Sequence, residues 1–145
     1  MKINWIKKKK SKKIEFIKSK EEIHFIAQLI WNLTKDINSR FIFLKGNIGT
    51  GKTTLVKYIG QYLNEKEVII SPSFNKMLVY NKFVHIDAYN MKNQSLKEFE
   101  DYFEDKVVII EWAENLRDQL FDFGFQVEIL YIDENTRKYI ISWKE

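Results

Sequence analysis

Cysteine is absent from this 145-residue chain, which excludes disulfides, thiolate catalysis and cysteine-ligated zinc sites. Only two histidines are present, His24 and His85, too few for a metal cluster built from histidines. No unbroken apolar run is longer than four residues, 107–110 being an example, whereas a membrane-spanning helix needs about 20. No apolar stretch follows the N-terminal lysines as it would in a secretory signal. The sequence therefore predicts a cytoplasmic protein with no membrane segment.

Acidic residues are almost missing from residues 1–20, which hold nine lysines and one acid, Glu15, for a net charge of +8. Residues 21–145 hold 15 basic and 19 acidic residues, for a net charge of −4. Because a run of like charges repels itself and stays solvated, residues 1–13 are predicted to form a flexible basic tail. Residues 14–145 have the length of one domain and can bury a full core.

The spacing of apolar residues predicts strands alternating with helices in the first half of the chain and hairpins in the second. Ser19 and Glu22 have the spacing of a capping box, which marks the start of the first helix. This order of elements predicts an α/β fold, a mixed sheet of parallel strands and antiparallel hairpins flanked by helices. The predicted strands are 14–17, 41–44, 68–70, 77–80, 83–87, 107–110, 126–132 and 138–143, and the predicted helices after the first are 55–63, 96–103 and 114–121.

The strongest functional signal is the pattern Gly46-x4-Gly51-Lys52-Thr53, which lies between an apolar strand and an amphipathic helix. Glycines let the backbone come close to phosphate oxygens, and the loop amides with the helix N-terminus form a positive cradle. Lys52 is predicted to reach the β- and γ-phosphates of a nucleotide, and the Thr53 hydroxyl to bind Mg²⁺. The chain is therefore predicted to be P-loop NTPase-like. The predicted nucleotide-binding residues are Gly46, Asn47, Ile48, Gly49, Thr50, Gly51, Lys52, Thr53, Thr54 and, further along, Ser73.

A phosphate loop of this kind also needs an acid to hold Mg²⁺, usually at the end of an apolar strand. Glu111 and Asp87 each end such a strand, and both are candidate Mg²⁺ ligands together with Thr53. Lys52, Asp87 and Glu111 are the predicted catalytic residues. Which of the two carboxylates binds the metal directly is left open.

Two further features have two interpretations each, and a third has one. Ser71-Pro72-Ser73-Phe74 follows a predicted strand and either senses a γ-phosphate as a switch segment or simply ends the strand. Trp112 packs near the nucleotide or fills the core. His85 alternates with apolar neighbours along a strand, and we interpret it as structural.

Taken together, four segments of the chain resemble the TsaE (YjeE) family of small bacterial ATPases of tRNA threonylcarbamoyladenosine biosynthesis. The resemblance covers about residues 14–143, in order and with near-family spacing. The combination is more specific than the phosphate loop alone, which indicates only an NTPase. The four segments are Gly46-Asn47-Ile48-Gly49-Thr50-Gly51-Lys52-Thr53-Thr54, Ser71-Pro72-Ser73-Phe74, His85-Ile86-Asp87-Ala88-Tyr89 and Ile110-Glu111-Trp112-Ala113-Glu114.

The resemblance implies binding of ATP and Mg²⁺ and slow ATP hydrolysis. It also implies partners, namely a threonylcarbamoyl transferase subunit and its inactive paralogue, of the TsaD and TsaB type, which modify the tRNA adenosine next to the anticodon. By this resemblance Thr53 and Glu111 match the Mg²⁺ ligands, and Asp87 matches the essential aspartate of an Asp-x-Tyr motif. Contact with tRNA is expected to be indirect. The lysine-rich tail itself has two interpretations, a weak attraction to RNA or a solvated segment with no partner.

Three positions depart from the family's pattern. Ser73 replaces a threonine and keeps a hydroxyl, Asn90 replaces an arginine, and Ile23 replaces a threonine near the nucleotide. None of these changes affects the phosphate loop or the two acids, so ATP binding is expected to survive.

Two other functions remain open from the sequence. A small P-loop kinase for a nucleoside or metabolite usually needs a lid carrying arginines. This chain has only three arginines, Arg40, Arg117 and Arg137, and no lid-sized insertion. A non-catalytic, nucleotide-gated binding module is the second alternative.

Overall fold

The computed structural model describes residues 11–36, 39–63, 66, 69, 77–117 and 124–144. Two α-helices lie in this part of the chain, α1 (Ile23–Asp36) and α2 (Lys52–Tyr62), with short 3₁₀ helices at Lys20–Glu22, Leu96–Tyr102 and Ala113–Asn115. Neither described helix is long and apolar enough to cross a membrane. The strands are β1 (Ser11–Ser19), β2 (Phe41–Lys45), β3 (Met77–Val79), β4 (Phe83–Asp87), β5 (Val107–Glu111), β6 (Phe125–Asp133) and β7 (Thr136–Lys144).

These strands form one sheet in the order β1-β7-β6-β2-β5-β4-β3. Strand β2 lies between β5 and β6 and runs parallel to both, and β4 runs parallel to β5. Strands β1, β7 and β3 pair antiparallel with their neighbours. The carboxyl ends of β2, β4 and β5 therefore meet at one edge, where open α/β sheets bind their ligands.

The central strands are buried on both faces, which explains why they read as continuous apolar runs. Helices α1 and α2 cover one face, with Ile26 and Leu55 among their fully buried side chains. The segment between β4 and β5 and the one after β5 cover the other face, with Met91 and Phe103 packed on Phe43 and its neighbours. The predicted mixed α/β sheet flanked by helices is confirmed.

Most predicted element positions are close to those observed, and both predicted hairpins are present. The capping box at Ser19 is also present, since the Glu22 carboxylate accepts hydrogen bonds from the Ser19 backbone N–H at 3.1 Å and from its hydroxyl at 3.0 Å. The first turn after it is 3₁₀ rather than α-helical. The predicted helix at 96–103 is likewise a 3₁₀ helix.

Strand β1 begins at Ser11, earlier than the predicted tail boundary at residue 13. Ser11, Lys12 and Lys13 pair with residues 142–144 of β7. Backbone pairing at a sheet edge requires no burial of lysine, and both lysine side chains remain exposed. Residues 1–10, which hold most of the predicted tail, lie outside the described residues.

The prediction of a helix at 114–121 is wrong for residues 114–117, the part of it that the structure describes. A single 3₁₀ turn spans Ala113–Asn115, and Leu116 is already extended, with φ −74° and ψ 152°. The Asn115 side chain donates to the carbonyls of Ala88 and Tyr89 at 3.2 and 3.1 Å, which ties the turn to the end of β4. Residues 118–123, which include the rest of this predicted helix, lie outside the described residues. The predicted strand at 68–70, except for Ile69, also lies outside them. So does the segment that contains Ser73.

Candidate nucleotide-binding site

The phosphate loop joins β2 to α2 in a backbone conformation that requires glycine. Gly49 and Gly51 have φ of 85° and 105°, in the left-handed region that other residues rarely adopt. A Cβ added at Gly46 would lie 2.8 Å from the Thr50 hydroxyl and 2.9 Å from the Ile129 carbonyl oxygen. The start of the loop is therefore closely packed, and the backbone near its end adopts left-handed conformations. The first N–H groups of α2 have no partner within the helix and are available to an anion.

Lys52 is the first residue of α2 and is buried, with 8% of its surface exposed. Its Nζ donates to the Gly46 carbonyl at 2.6 Å and lies 3.6 Å from Glu111 Oε1. The same ammonium lies 5.1 Å from the centre of the Trp112 ring. The lysine thus connects the start of the loop with the end of β5.

The two candidate acids lie side by side at the ends of adjacent parallel strands. Asp87 of β4 is in register with Glu111 of β5, and Glu111 is in register with Leu44 of β2. Asp87 is half-buried, and its carboxylate accepts a hydrogen bond from the Tyr89 N–H at 3.0 Å. The structure therefore brings Lys52 and Glu111 into contact and places Asp87 at the neighbouring position.

The pKa of the Glu111 carboxyl is held low although the side chain is buried. Burial by itself raises its pKa, but the hydrogen bond and charge of His85 and the charge of Lys52 outweigh this and hold the pKa below its ordinary value. The site therefore pairs a buried anion with a buried cation directly behind the phosphate loop.

A cavity of about 300 Å³ opens beside the loop, within the range of small-molecule sites. Its lining includes Lys52 and Trp112 as well as Glu128 and Tyr131 of β6. Trp112 has a φ of 59°, a conformation that is costly for a non-glycine residue and that collects at functional sites. Trp112 lies near the cavity and also packs edge-on against Tyr89, with ring centres 5.1 Å apart.

Comparison with known proteins identifies the family. The family model described as threonylcarbamoyl adenosine biosynthesis protein TsaE matches residues 17–139. The chain belongs to the TsaE family. It is 34% identical over 134 residues to the tRNA threonylcarbamoyladenosine biosynthesis protein TsaE of Aquifex aeolicus, covering 88% of this chain and 94% of that protein. It is 30% identical over 124 residues to the TsaE of Bacillus subtilis, covering 81% and 77%.

The fold agrees with this assignment. The crystal structure of Bacillus subtilis YdiB superposes with a TM-score of 0.72 and 22% identity, covering 94% of this chain and 89% of that chain. The family match and the two relatives confirm the TsaE resemblance noted from the sequence.

Two residues of this TsaE-family site were missed by the sequence reasoning. The first is His85, whose Nε2 lies 2.7 Å from Glu111 Oε2, with the imidazole fully buried. Along β4 it lies two residues before Asp87, so both project from the same face of the sheet. That face also carries Glu111, because β4 and β5 run parallel in register. The alternation of side chains along β4 could therefore have indicated His85, but only if the pairing of β4 with β5 had been known.

The second missed residue is Arg137 of β7, which is 6% exposed. Its Nε donates to the Thr50 carbonyl at 3.2 Å and one of its terminal nitrogens donates to the Thr136 carbonyl at 2.9 Å. Its guanidinium also lies 4.7 Å from the centre of the Tyr131 ring. Arg137 alternates with buried Tyr139, and a charged residue in a core-facing position was the available signal. It ties the β6–β7 hairpin to the phosphate loop.

The oxygen donors at this site suit Mg²⁺. A threonine hydroxyl from Thr53, with the carboxylates of Glu111 and Asp87, is a hard donor set of the kind that Mg²⁺ prefers. Within the described part of the chain, no group of three or more His, Cys, Asp or Glu side chains could hold a metal alone.

Of the other predicted nucleotide-binding residues, Thr50 is buried and its hydroxyl donates to the Asn47 carbonyl at 2.8 Å. Ile48 is 90% exposed at the tip of the loop. Thr53 is half-buried and Thr54 is exposed, both in the first turn of α2. Ser73 lies outside the described residues.

Proposed function

We propose that this chain is a Mg²⁺-dependent ATPase that hydrolyses ATP slowly and supports threonylcarbamoyl transfer to the tRNA adenosine next to the anticodon. The observation that carries the proposal is the convergence of Lys52 and Glu111, 3.6 Å apart and both buried, behind a glycine-dependent loop at a helix N-terminus. Its relatives in Aquifex aeolicus and Bacillus subtilis are tRNA threonylcarbamoyladenosine biosynthesis proteins, which supports the wider role.

Each residue has a role that follows from its position. The loop amides and Lys52 bind the β- and γ-phosphates, and Lys52 exchanges its hydrogen bond to the Gly46 carbonyl for phosphate oxygens. Thr53 and one of the two carboxylates, Glu111 or Asp87, would hold Mg²⁺, which when bound would neutralise the charge that develops on the phosphates. The carboxylate that does not bind the metal directly orients the attacking water.

The partners in this proposal are proteins of the TsaD and TsaB type, in the cytoplasm. The chain does not perform the threonylcarbamoyl transfer itself. Its lysine-rich N-terminal segment adds a weak, sequence-independent attraction to RNA in the assembled complex.

The test is the release of inorganic phosphate from ATP, with and without Mg²⁺, by the chain alone and with its TsaD- and TsaB-type partners. We expect release that requires Mg²⁺ and that is lost in Lys52→Ala. ATP affinity should fall because a hydrogen bond to a charged group contributes about 1.5–3 kcal/mol. Lys57→Ala is the matched control, since Lys57 is an exposed lysine on the same helix.

The other outcomes separate the alternatives. Transfer of the γ-phosphate to a nucleoside instead of water would contradict the proposal and indicate a kinase. ATP binding with no phosphate release, even with the partners present, would contradict it in favour of a nucleotide-gated binding module.

A further inference from the structure

We propose that His85 is a positioning residue, which holds one oxygen of the Glu111 carboxylate so that the other is presented to the phosphate loop and its metal. This inference rests on the proposed Mg²⁺-dependent ATPase function. It gives a role to a residue that the proposed function leaves without one.

The geometry at Glu111 supports this role. Its Oε2 lies 2.7 Å from His85 Nε2, and its Oε1 lies 3.6 Å from Lys52 Nζ. The last torsion of a glutamate side chain is broad and nearly two-fold, so a free carboxylate does not keep its two oxygens distinct. A short hydrogen bond to one oxygen removes that freedom. The bond to His85 therefore fixes the orientation of the carboxylate and keeps its second oxygen facing Lys52 and the loop.

The hydrogen-bonding pattern of His85 assigns the donor atom. An ionised carboxylate only accepts hydrogen bonds, so Nε2 carries the proton that lies between the two groups. The other ring nitrogen, Nδ1, is buried and has no hydrogen-bond partner among the residues that the structure describes. An apolar residue of similar size would fill the same space without leaving a buried polar atom unpaired. Packing alone explains the burial of His85 but not its short bond to Glu111.

Groups that hydrogen-bond to metal ligands have measurable effects on metal affinity. Their removal typically weakens metal binding by about 10–100-fold without destroying the site. If His85 positions Glu111, its loss should therefore affect Mg²⁺ more than the nucleotide itself. If His85 only packs, its loss should affect the stability of the fold and leave the Mg²⁺ dependence unchanged.

Two amide substitutions separate these roles. In His85→Gln the amide nitrogen reaches about as far from the backbone as imidazole Nε2 and can still donate to Glu111. In His85→Asn the amide nitrogen reaches only as far as Nδ1, so the donor to Glu111 is lost. The two variants bury the same chemical group and differ mainly in where its donor lies.

The readouts are ADP affinity by calorimetry with and without Mg²⁺, and the Mg²⁺ concentration that gives half-maximal ATP hydrolysis. We expect His85→Asn to raise that concentration by about tenfold or more and to reduce the gain in ADP affinity given by Mg²⁺, on the scale seen for such residues. ADP affinity without Mg²⁺ should stay close to that of the parent. His85→Gln should restore most of the Mg²⁺ dependence. Parent-like Mg²⁺ behaviour in folded His85→Asn would overturn the inference.

A second measurement does not depend on the variants folding. In a crystal structure of the parent protein with Mg²⁺ and a non-hydrolysable ATP analogue, His85 Nε2 should remain hydrogen-bonded to Glu111. A carboxylate turned away from His85 in that complex would overturn the inference as well. If the parent shows no Mg²⁺-dependent binding or hydrolysis, the proposed function fails and the inference fails with it. If the parent shows both and His85→Asn behaves like it, only the inference fails.

Discussion

Strands β2, β4 and β5, here called the parallel half, and the antiparallel hairpin β6–β7 with β1, here called the antiparallel half, contribute to the candidate site in different ways. The parallel strands end in the residues proposed to act on the nucleotide, among them Asp87 and Glu111. The antiparallel half contributes cavity-lining residues, Glu128 and Tyr131 of β6, and a buried arginine, Arg137, whose side chain donates a hydrogen bond to the loop carbonyl of Thr50. The comparison shows that the chemistry is concentrated in one half of the sheet, whereas the shape of the loop depends on both halves.

Removing the acids of the parallel half has the largest expected effect. We expect Glu111→Ala and Asp87→Ala each to reduce ATP hydrolysis by about 100-fold or more, the scale on which acid–base groups contribute. Phosphate release in the presence of the partners measures this. Glu134→Ala, in the exposed turn between β6 and β7, is the matched control and should retain the parent rate. Unchanged hydrolysis in either of the first two variants would contradict the role given to that acid.

Removing the cation of the antiparallel half comes next. We expect Arg137→Met to lower the free energy of unfolding by about 2–3 kcal/mol, because backbone carbonyls lose hydrogen bonds to a charged group. ADP binding should weaken by about tenfold, equivalent to about 1.4 kcal/mol, because Thr50 loses its support. Urea unfolding and calorimetry check the two effects.

The control for Arg137 is Arg117→Met, which replaces an exposed arginine. It should leave both stability and ADP affinity close to those of the parent. If Arg137→Met lowered stability and left ADP affinity unchanged, the hairpin half would serve the fold without shaping the loop, and the comparison drawn above would be wrong.

A smaller effect is expected from shortening the N-terminus. Deleting residues 2–10 should leave ATP affinity and thermal stability unchanged, whereas deleting 2–13 should lower stability, because Ser11, Lys12 and Lys13 pair with β7. In the assembled complex, either deletion should weaken tRNA binding and reduce its salt dependence, since fewer counterions are released. Titrations with tRNA over a salt series measure this. An unchanged affinity and salt slope would show that the lysines have no part in RNA binding.

The smallest expected effect is at the capping box before α1. Hydrogen bonds from the Ser19 backbone and hydroxyl lower the pKa of Glu22 below its ordinary value. A lowered pKa in the folded state contributes stability that is present above the ordinary value and is lost as the pH falls through the folded value. Glu22→Gln lacks this contribution. Its free energy of unfolding should therefore change less between about pH 3 and pH 7 than that of the parent. Thermal unfolding across this range, with exposed Glu21→Gln as the control, tests the expectation; equal pH profiles for Glu22→Gln and the parent would contradict it.

Much of the parallel half could be predicted from the sequence, because its signals are local. The loop glycines are adjacent in the chain, and each candidate acid directly follows its own apolar strand. The roles of His85 and Arg137 could not be found in this way. Each acts on a residue far along the chain, Glu111 and Thr50 respectively, and the contact exists only after β4 has paired with β5 and β7 has folded back past the loop.

The errors in predicted elements have the same origin. The 3₁₀ turn at Ala113–Asn115 replaces a predicted helix because Asn115 bonds to backbone carbonyls at the end of β4. The early start of β1 depends on pairing with the last strand of the chain. In both cases a tertiary partner overrides the local preference of the sequence.

The position of β1 at one end of the described sheet has a consequence for how the protein behaves in solution. An edge strand of nine residues offers unpaired backbone groups on which another chain could add a strand and start aggregation. Lysines on an exposed edge oppose such addition, because a second copy would bring like charges together. Three lysines, Lys12, Lys13 and Lys18, lie along β1. We therefore expect this strand to resist edge-to-edge pairing between copies of the protein, whether or not RNA is present.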